Sequence, residues 1–104
     1  MSTGHAPHQT DGLVALRSEL DQIDAQLLDA IRRRLDVCVR IAEYKRLHGV
    51  PMMQPHRVGL VHQRAARYGA EHGIDESFLH SLYDLIITET CRIEDLVIGD
   101  KPAG

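Results

Sequence analysis

Aromatic residues are scarce in this sequence, which has no tryptophan and only 4% aromatic side chains among its 104 residues. Most of the apolar core must therefore come from Leu, Ile, Val and Ala, which suits packing between helices better than a sandwich of sheets. The chain also lacks an apolar run near the roughly 20 residues of a membrane span, and its N-terminus lacks the pattern of a signal peptide. We expect an all-α cytoplasmic protein that does not bind membranes.

An excess of positive charge is also missing, since the formal net charge is −3. Such a chain provides no field that would attract nucleic acid. Only two cysteines are present, Cys38 and Cys91, and both lie inside apolar helical segments without a nearby partner. We predict buried free thiols, and neither a disulfide nor a zinc site, which fits a reducing compartment.

Histidine, by contrast, is abundant, with seven residues. His5 and His8 lie in a polar N-terminal segment that shows no periodicity. We interpret the other five as lacking a paired ligand spacing with Asp, Glu or Cys, and therefore predict surface histidines, no metal site and no cofactor. These five are His48, His56, His62, His72 and His80.

Apolar residues at alternating steps of three and four predict a long first helix. It begins at Asp11 or Gly12 and ends at His48, where Gly49 can adopt the left-handed conformation and Pro51 blocks continuation. The apolar positions are Leu13, Leu16, Leu20, Ile23, Leu27, Ala30, Val37 and Ile41. The segments 1–10 and 99–104 are predicted to be disordered tails around one domain over 11–98.

Two shorter helices follow in the predicted order. The second begins near Pro55, a residue favoured in the first turn, and ends around His72. The third begins after Asp75, which we predict to cap it, and continues to Val97.

The length of the first helix predicts the assembly. About 35 residues at about 1.5 Å each span about 50 Å, whereas a compact domain of this size has a radius of gyration near ~13 Å. Two short helices cannot cover so long an apolar stripe. We therefore predict an intertwined homodimer in which two long helices pack antiparallel.

Two cations interrupt this stripe. Arg34 occupies a heptad position that should be apolar, and Lys45 lies about three turns further on nearly the same line. Buried charges are costly unless paired, and no acidic residue lies three or four positions away on that line. A bound anion would neutralise both cations. Alternatively, the side chains reach solvent or pair with a carboxylate of another helix.

Polar residues also enter the apolar stripe of the third helix, at Thr90 and, one turn later, Glu94. Alternatively, the Thr90 hydroxyl bonds within its helix and Glu94 is an exposed partner of Arg92 or of another cation. Arg17 and Arg57, near the starts of the first and second helices, are ambiguous by themselves.

In order and spacing, several segments between Leu13 and Val97 resemble the all-helical chorismate mutases. The resemblance implies an isomerase with three helices per chain, an intertwined homodimer whose active sites are shared between chains, and a small dicarboxylate substrate. The segments are Leu13-Val14-Ala15-Leu16-Arg17, Asp21, Ile23-Asp24, Leu27-Leu28, Arg32-Arg33-Arg34, Ile41-Ala42-Glu43-Tyr44-Lys45, a Gly-x-Pro loop, Arg57, His72-Gly73-Ile74-Asp75 and Leu82-Tyr83-Asp84-Leu85-Ile86-Ile87.

The resemblance also implies roles for individual residues. Arg34 and Arg17, the latter from the partner chain, would bind the two substrate carboxylates, while Lys45 and Glu94 would flank the ether oxygen. A Claisen rearrangement is concerted and needs no nucleophile, base or metal. The site must only hold a reactive conformer and place donors where negative charge grows.

Four further positions are implied to contact the substrate. Arg57 matches a position that lines the pocket, and Thr90 matches a small hydroxyl residue. Val58 stands where these enzymes usually have a Glu that binds the ring C4 hydroxyl, and Gln54 stands where an acid is common. Both changes weaken recognition of that hydroxyl.

Glu94 departs from the family pattern, because many relatives have Gln at this position. A carboxylate can donate to the ether oxygen only when it is protonated. We therefore predict that the pKa of Glu94 is raised and that activity falls as pH rises.

The segments 51–58 and 86–97 resemble most the 4-amino-4-deoxychorismate mutases of antibiotic pathways. Those enzymes make 4-amino-4-deoxyprephenate, a precursor of p-aminophenylalanine. We expect the same rearrangement here. Alternatives are a chorismate mutase, an isochorismate-pyruvate lyase and, in a different class, a non-catalytic helical dimer.

Overall fold

The computed structural model describes the backbone of residues 5–50 and 55–99, and the side chains of 11–50 and 57–99. This part of the chain forms three helices and no strand: α1 (His5–His48), α2 (Pro55–His72) and α3 (Glu76–Gly99). The predicted all-α class is confirmed. Among the described helices, none combines the length and the hydrophobicity that a bilayer span requires.

The first helix has 44 residues and begins at His5, six residues before the predicted start at Asp11. Apolar periodicity identifies where the amphipathic face begins, whereas the helix itself needs only the absence of a stop signal. Pro7 falls in the first turn, where a backbone N–H has no carbonyl partner within the helix. The N–H that proline lacks therefore costs no helical hydrogen bond. The predicted domain over 11–98 and the disorder of its two flanking tails stay predictions.

The end of α1 is defined by a left-handed glycine, as predicted. Gly49 has a φ of 67°, and the N–H of Val50 donates to the carbonyl of Lys45 at 3.0 Å. The His48 ring stacks on Tyr44 at 4.0 Å, and its Nδ1 lies 2.9 Å from the Tyr44 carbonyl oxygen. Because α1 ends at His48, Lys45 lies in the last turn of the helix.

A left-handed glycine also ends α2, and a three-residue connection leads from α2 to α3. Gly73 has a φ of 70°, and the N–H of Ile74 donates to the carbonyl of Gly69 at 2.9 Å. Asp75 then caps α3, because its Oδ2 accepts a hydrogen bond from the N–H of Phe78 at 2.8 Å. The predicted start of α3 is confirmed, and α2 and α3 pack against each other.

The chain divides into two compact units, Met1–Arg34 and Leu35–Gly104. The described side chains of the first unit lie on one helix, and its large apolar residues are exposed except for Ile31, which is half-buried. In the second unit, the buried side chains Cys38 and Ala42 come from α1, Ala65 from α2 and Glu94 from α3. The candidate site lies in this second unit.

Candidate active site

Glu94 is the one buried charged residue among the described side chains, with only 7% of its surface exposed. Burial raises the pKa of its carboxyl group, the positive charge of Lys45 lowers it in part, and the negative charge of Asp95 raises it further. The net direction is upward, so the raised pKa predicted for Glu94 is confirmed.

The alternative in which Glu94 is an exposed partner of Arg92 is wrong. Arg92 forms an ion pair with Glu89, three residues earlier, with an N···O distance of 2.6 Å. The hydrogen bond from Arg92 lowers the pKa of the Glu89 carboxyl. The two glutamates of α3 thus lie in different environments. Glu89 binds Arg92 at the surface, whereas Glu94 points into the core.

Lys45 is half-buried and lies close enough to Glu94 for its charge to lower the pKa of that carboxyl. The sequence had allowed pairing with a carboxylate of another helix as an alternative to anion binding. Glu94 of α3 is such a carboxylate. The structure therefore brings together the two residues that the resemblance implies around the ether oxygen.

A second link between α1 and α3 involves Thr90. The Cys38 thiol donates a hydrogen bond to the Thr90 hydroxyl oxygen, with an S···O distance of 3.6 Å. Cys38, Ala42 and Lys45 follow at steps of four and three on α1, which places them on one helix face. Thr90 and Glu94 are four residues apart and likewise share a face of α3. The buried side chains of Cys38 and Ala42 on α1 therefore lie near the polar groups of Thr90 and Glu94.

Both cysteines are free, as predicted, but only Cys38 is buried and Cys91 is half-buried. Burial raises the pKa of the Cys91 thiol, and the nearby charges of Glu94 and Asp95 raise it further. A thiol whose pKa is raised is a poor nucleophile. The rearrangement that the resemblance implies needs no nucleophile, so these thiols fit a packing role.

The two predicted carboxylate-binding arginines belong to the first unit. Arg34 is half-buried, whereas Arg17 is exposed. The neighbours of Arg34 lie on the surface, where Arg32 and Arg33 contact Asp29 at 2.8 and 3.0 Å. Arg34 thus differs from them in burial, as the heptad predicted, but the shared role of Arg17 and Arg34 in one site stays a prediction.

The predicted C4 pocket is described only in part. Val58 is half-buried and Arg57 is exposed, both in the first turns of α2. Gln54 lies outside the described residues. The roles of these residues therefore stay predictions.

One interpretation of the sequence was wrong. His80 and Asp84 do have a paired ligand spacing, since they lie four residues apart on α3, and the structure adds His62 of α2 to them. The spacing could have been recognised from the sequence, whereas the approach of His62 depends on how α2 packs against α3.

The family profile described as chorismate mutase type II matches residues 16–95. The chain belongs to this family. The prediction of an isomerase of the chorismate mutase type is thereby confirmed at the level of the family.

Curated relatives of this chorismate mutase family member are similar over most of its length. A 4-amino-4-deoxychorismate mutase of Streptomyces pristinaespiralis is 70% identical over 86 residues, which cover 83% of this chain and 67% of that protein. One of Streptomyces venezuelae is 67% identical over 87 residues, 84% of each chain. An isochorismate pyruvate lyase of Pseudomonas aeruginosa is 30% identical over 81 residues, 78% of this chain and 79% of that protein. No solved structure shows a significant match.

Proposed function

We propose that the protein rearranges 4-amino-4-deoxychorismate to 4-amino-4-deoxyprephenate. The similarity to two relatives with this activity supports the substrate. The observation that carries the chemistry is the buried Glu94 carboxyl beside Lys45, because a site with a cation and a protonated carboxyl can stabilise charge on an oxygen. A cytoplasmic location and a role in antibiotic biosynthesis accompany this proposal.

In the proposed reaction, the ether C–O bond breaks as a new C–C bond forms within the same molecule. Negative charge develops on the ether oxygen in the transition state. The Lys45 ammonium donates one hydrogen bond to that oxygen, and protonated Glu94 donates another. Donors already in place cost no reorganisation during the reaction, so they lower the barrier and do not merely tighten binding.

Binding of the two substrate carboxylates is proposed for Arg34 and for Arg17 of a second copy of the chain. The guanidinium group suits this task because it donates two parallel hydrogen bonds to a carboxylate. Thr90, Arg57, Val58 and Gln54 complete the proposed pocket, with Val58 and Gln54 facing C4.

The second copy is proposed from the exposed apolar stripe of α1. Leu13, Leu20 and Leu27 repeat at seven-residue intervals, and all three are about half exposed. An exposed apolar surface of this length on a soluble protein favours association. A twofold homodimer covers the stripe with an identical stripe and brings the partner's arginine to each site.

The proposed substrate is tested by measuring turnover of 4-amino-4-deoxychorismate, chorismate and isochorismate with the purified full-length protein. Prephenate-type products and pyruvate are measured separately. We expect the highest kcat/KM with the amino substrate and no pyruvate. Preference for chorismate would assign an ordinary chorismate mutase, release of pyruvate would assign a lyase, and no turnover would favour the non-catalytic dimer.

The raised pKa of Glu94 predicts the pH dependence of the reaction. Because only the protonated carboxyl donates, we expect kcat to fall with pH above this pKa, approaching about tenfold per unit. An amide donates at every pH, so Glu94→Gln is expected to remove this fall. The measurement is kcat from pH 5 to 9 for both proteins, in buffers of constant ionic strength.

Glu89→Gln is the matched control for this experiment. It makes the same change on the same helix, at the carboxylate that binds Arg92 on the surface. We expect it to keep the pH profile of the unmodified protein. If Glu94→Gln also kept that profile, the donor role of Glu94 would be rejected.

A further inference from the structure

Three potential metal ligands meet between α2 and α3. His62 Nε2 lies 2.9 Å from Asp84 Oδ1, and His80 Nδ1 lies 3.2 Å from Asp84 Oδ2. The two imidazole rings stack with centroids 4.1 Å apart. The ligand atoms of all three residues lie within 4.8 Å of one another. None of them belongs to the proposed mutase site.

The positions along the helices explain how the cluster forms. Glu76, His80 and Asp84 follow at steps of four, so they lie on one face of α3. His62 comes from α2, and only 18% of its side chain is exposed, so helix packing restricts this ring. His80 and Asp84 are 60% and 56% exposed, which leaves them free to adjust around a ligand.

Space for additional ligands lies beside the two rings. A cavity of about 210 Å³ is lined by His62, Gln63, Ala66, Glu76 and His80. This volume accommodates several water molecules, since a water occupies about 30 Å³ in the liquid. Glu76 lines the same cavity.

The two N···O distances, each to a different oxygen of Asp84, are close to the separation between neighbouring ligand atoms of a tetrahedral metal ion. Zinc binds imidazole nitrogen and carboxylate oxygen at about 2.0–2.2 Å, which separates neighbouring ligand atoms by about 3.3 Å. The N···O distances of 2.9 and 3.2 Å are within a few tenths of an ångström of this separation. Binding requires rotation of the exposed His80 and Asp84 side chains, and each coordinating ring nitrogen gives up the proton that it shares with Asp84.

We propose that His62, His80 and Asp84 bind a divalent transition-metal ion of the zinc class, with water as the remaining ligand. Two imidazoles and one carboxylate are the ligands that such ions prefer over magnesium or calcium. Because the ligands come from both helices, the ion ties α2 to α3. The site is structural, and the mutase reaction does not depend on it.

The test uses the full-length protein after removal of metal with a chelator. Titration with Zn²⁺ by calorimetry is expected to show one ion per chain and a higher midpoint of thermal unfolding. Co²⁺ in place of Zn²⁺ is expected to produce visible absorption bands of tetrahedral coordination. Loss of a ligand in His80→Ala or Asp84→Asn is expected to weaken Zn²⁺ binding by at least about tenfold.

His72→Ala is the matched control, because this histidine also lies on α2 but contacts Tyr68 and not the cluster. We expect its affinity for Zn²⁺ to stay within about twofold of the unmodified protein, since distant sites act independently. No stoichiometric binding, or unchanged binding in His80→Ala and Asp84→Asn, would overturn the proposal. Both substitutions are at exposed positions, and circular dichroism checks that the variants stay folded.

Discussion

Replacing Lys45 with alanine is expected to lower kcat on the proposed substrate by about 10²- to 10³-fold, the usual cost of losing one donor to a developing oxyanion. The ammonium meets the ether oxygen only as charge grows there, so KM should change much less than kcat. Lys45 also lowers the pKa of Glu94. Its removal should therefore leave Glu94 protonated to higher pH, without restoring the missing charge. Steady-state kinetics at several pH values measures both effects.

Arg46→Ala is the control for this substitution. Arg46 is the next residue, lies in the same last turn of α1 and is exposed, so its removal takes the same charge from the same end of the helix. We expect kcat to change by no more than a few fold, because surface charges contribute little. Equal losses in both variants would indicate a general effect of charge and would contradict a specific donor role of Lys45.

Leu27→Glu is expected to abolish both the proposed dimer and the activity. Leu27 is 54% exposed in the single chain and lies on the stripe proposed to pack against a second copy. A leucine buried at an interface contributes about 1.5–3 kcal/mol, and a twofold dimer loses this twice, in addition to burying two unpaired carboxylates. Light scattering coupled to size-exclusion chromatography measures the mass, and urea unfolding measures the remaining stability.

Gln22→Glu provides the matched change of charge. Gln22 lies on α1 at an exposed position outside the apolar stripe, and the substitution adds one negative charge, as Leu27→Glu does. We expect this variant to keep the mass of a dimer and nearly full activity. An active, dimeric Leu27→Glu protein would show that the stripe of α1 is not the dimer interface.

The helix ends were predictable because the signals that define them are local. Gly49 has the positive φ that its position after the first helix predicted, and Asp75 caps α3 through the N–H of Phe78. Pro55 begins α2 as predicted. The start of α1 was placed six residues too late, because a polar segment without a stop signal gives no periodicity.

The site was predictable only in part, since burial depends on contacts between helices. That Glu94 is buried, and that Lys45 acts on it, depends on the packing of α1 with α3. His62 and His80 are 18 positions apart in the sequence, so only the register of α2 on α3 brings their rings together. The pair His80 and Asp84 shows the opposite case, because their helical spacing of four residues is visible in the sequence alone.

The burial of Glu94 also has a consequence for evolution. Its pKa is higher in the folded chain than in the unfolded one, so the folded chain binds more protons, and stability falls as pH rises from the ordinary glutamate range through this raised pKa. Near neutral pH, the burial of the Glu94 carboxyl therefore destabilises the folded chain. On the proposed mechanism, selection for turnover opposes selection for stability at this position, a trade-off common to buried catalytic groups. Lineages relieved of the need for catalysis should lose Glu94 early.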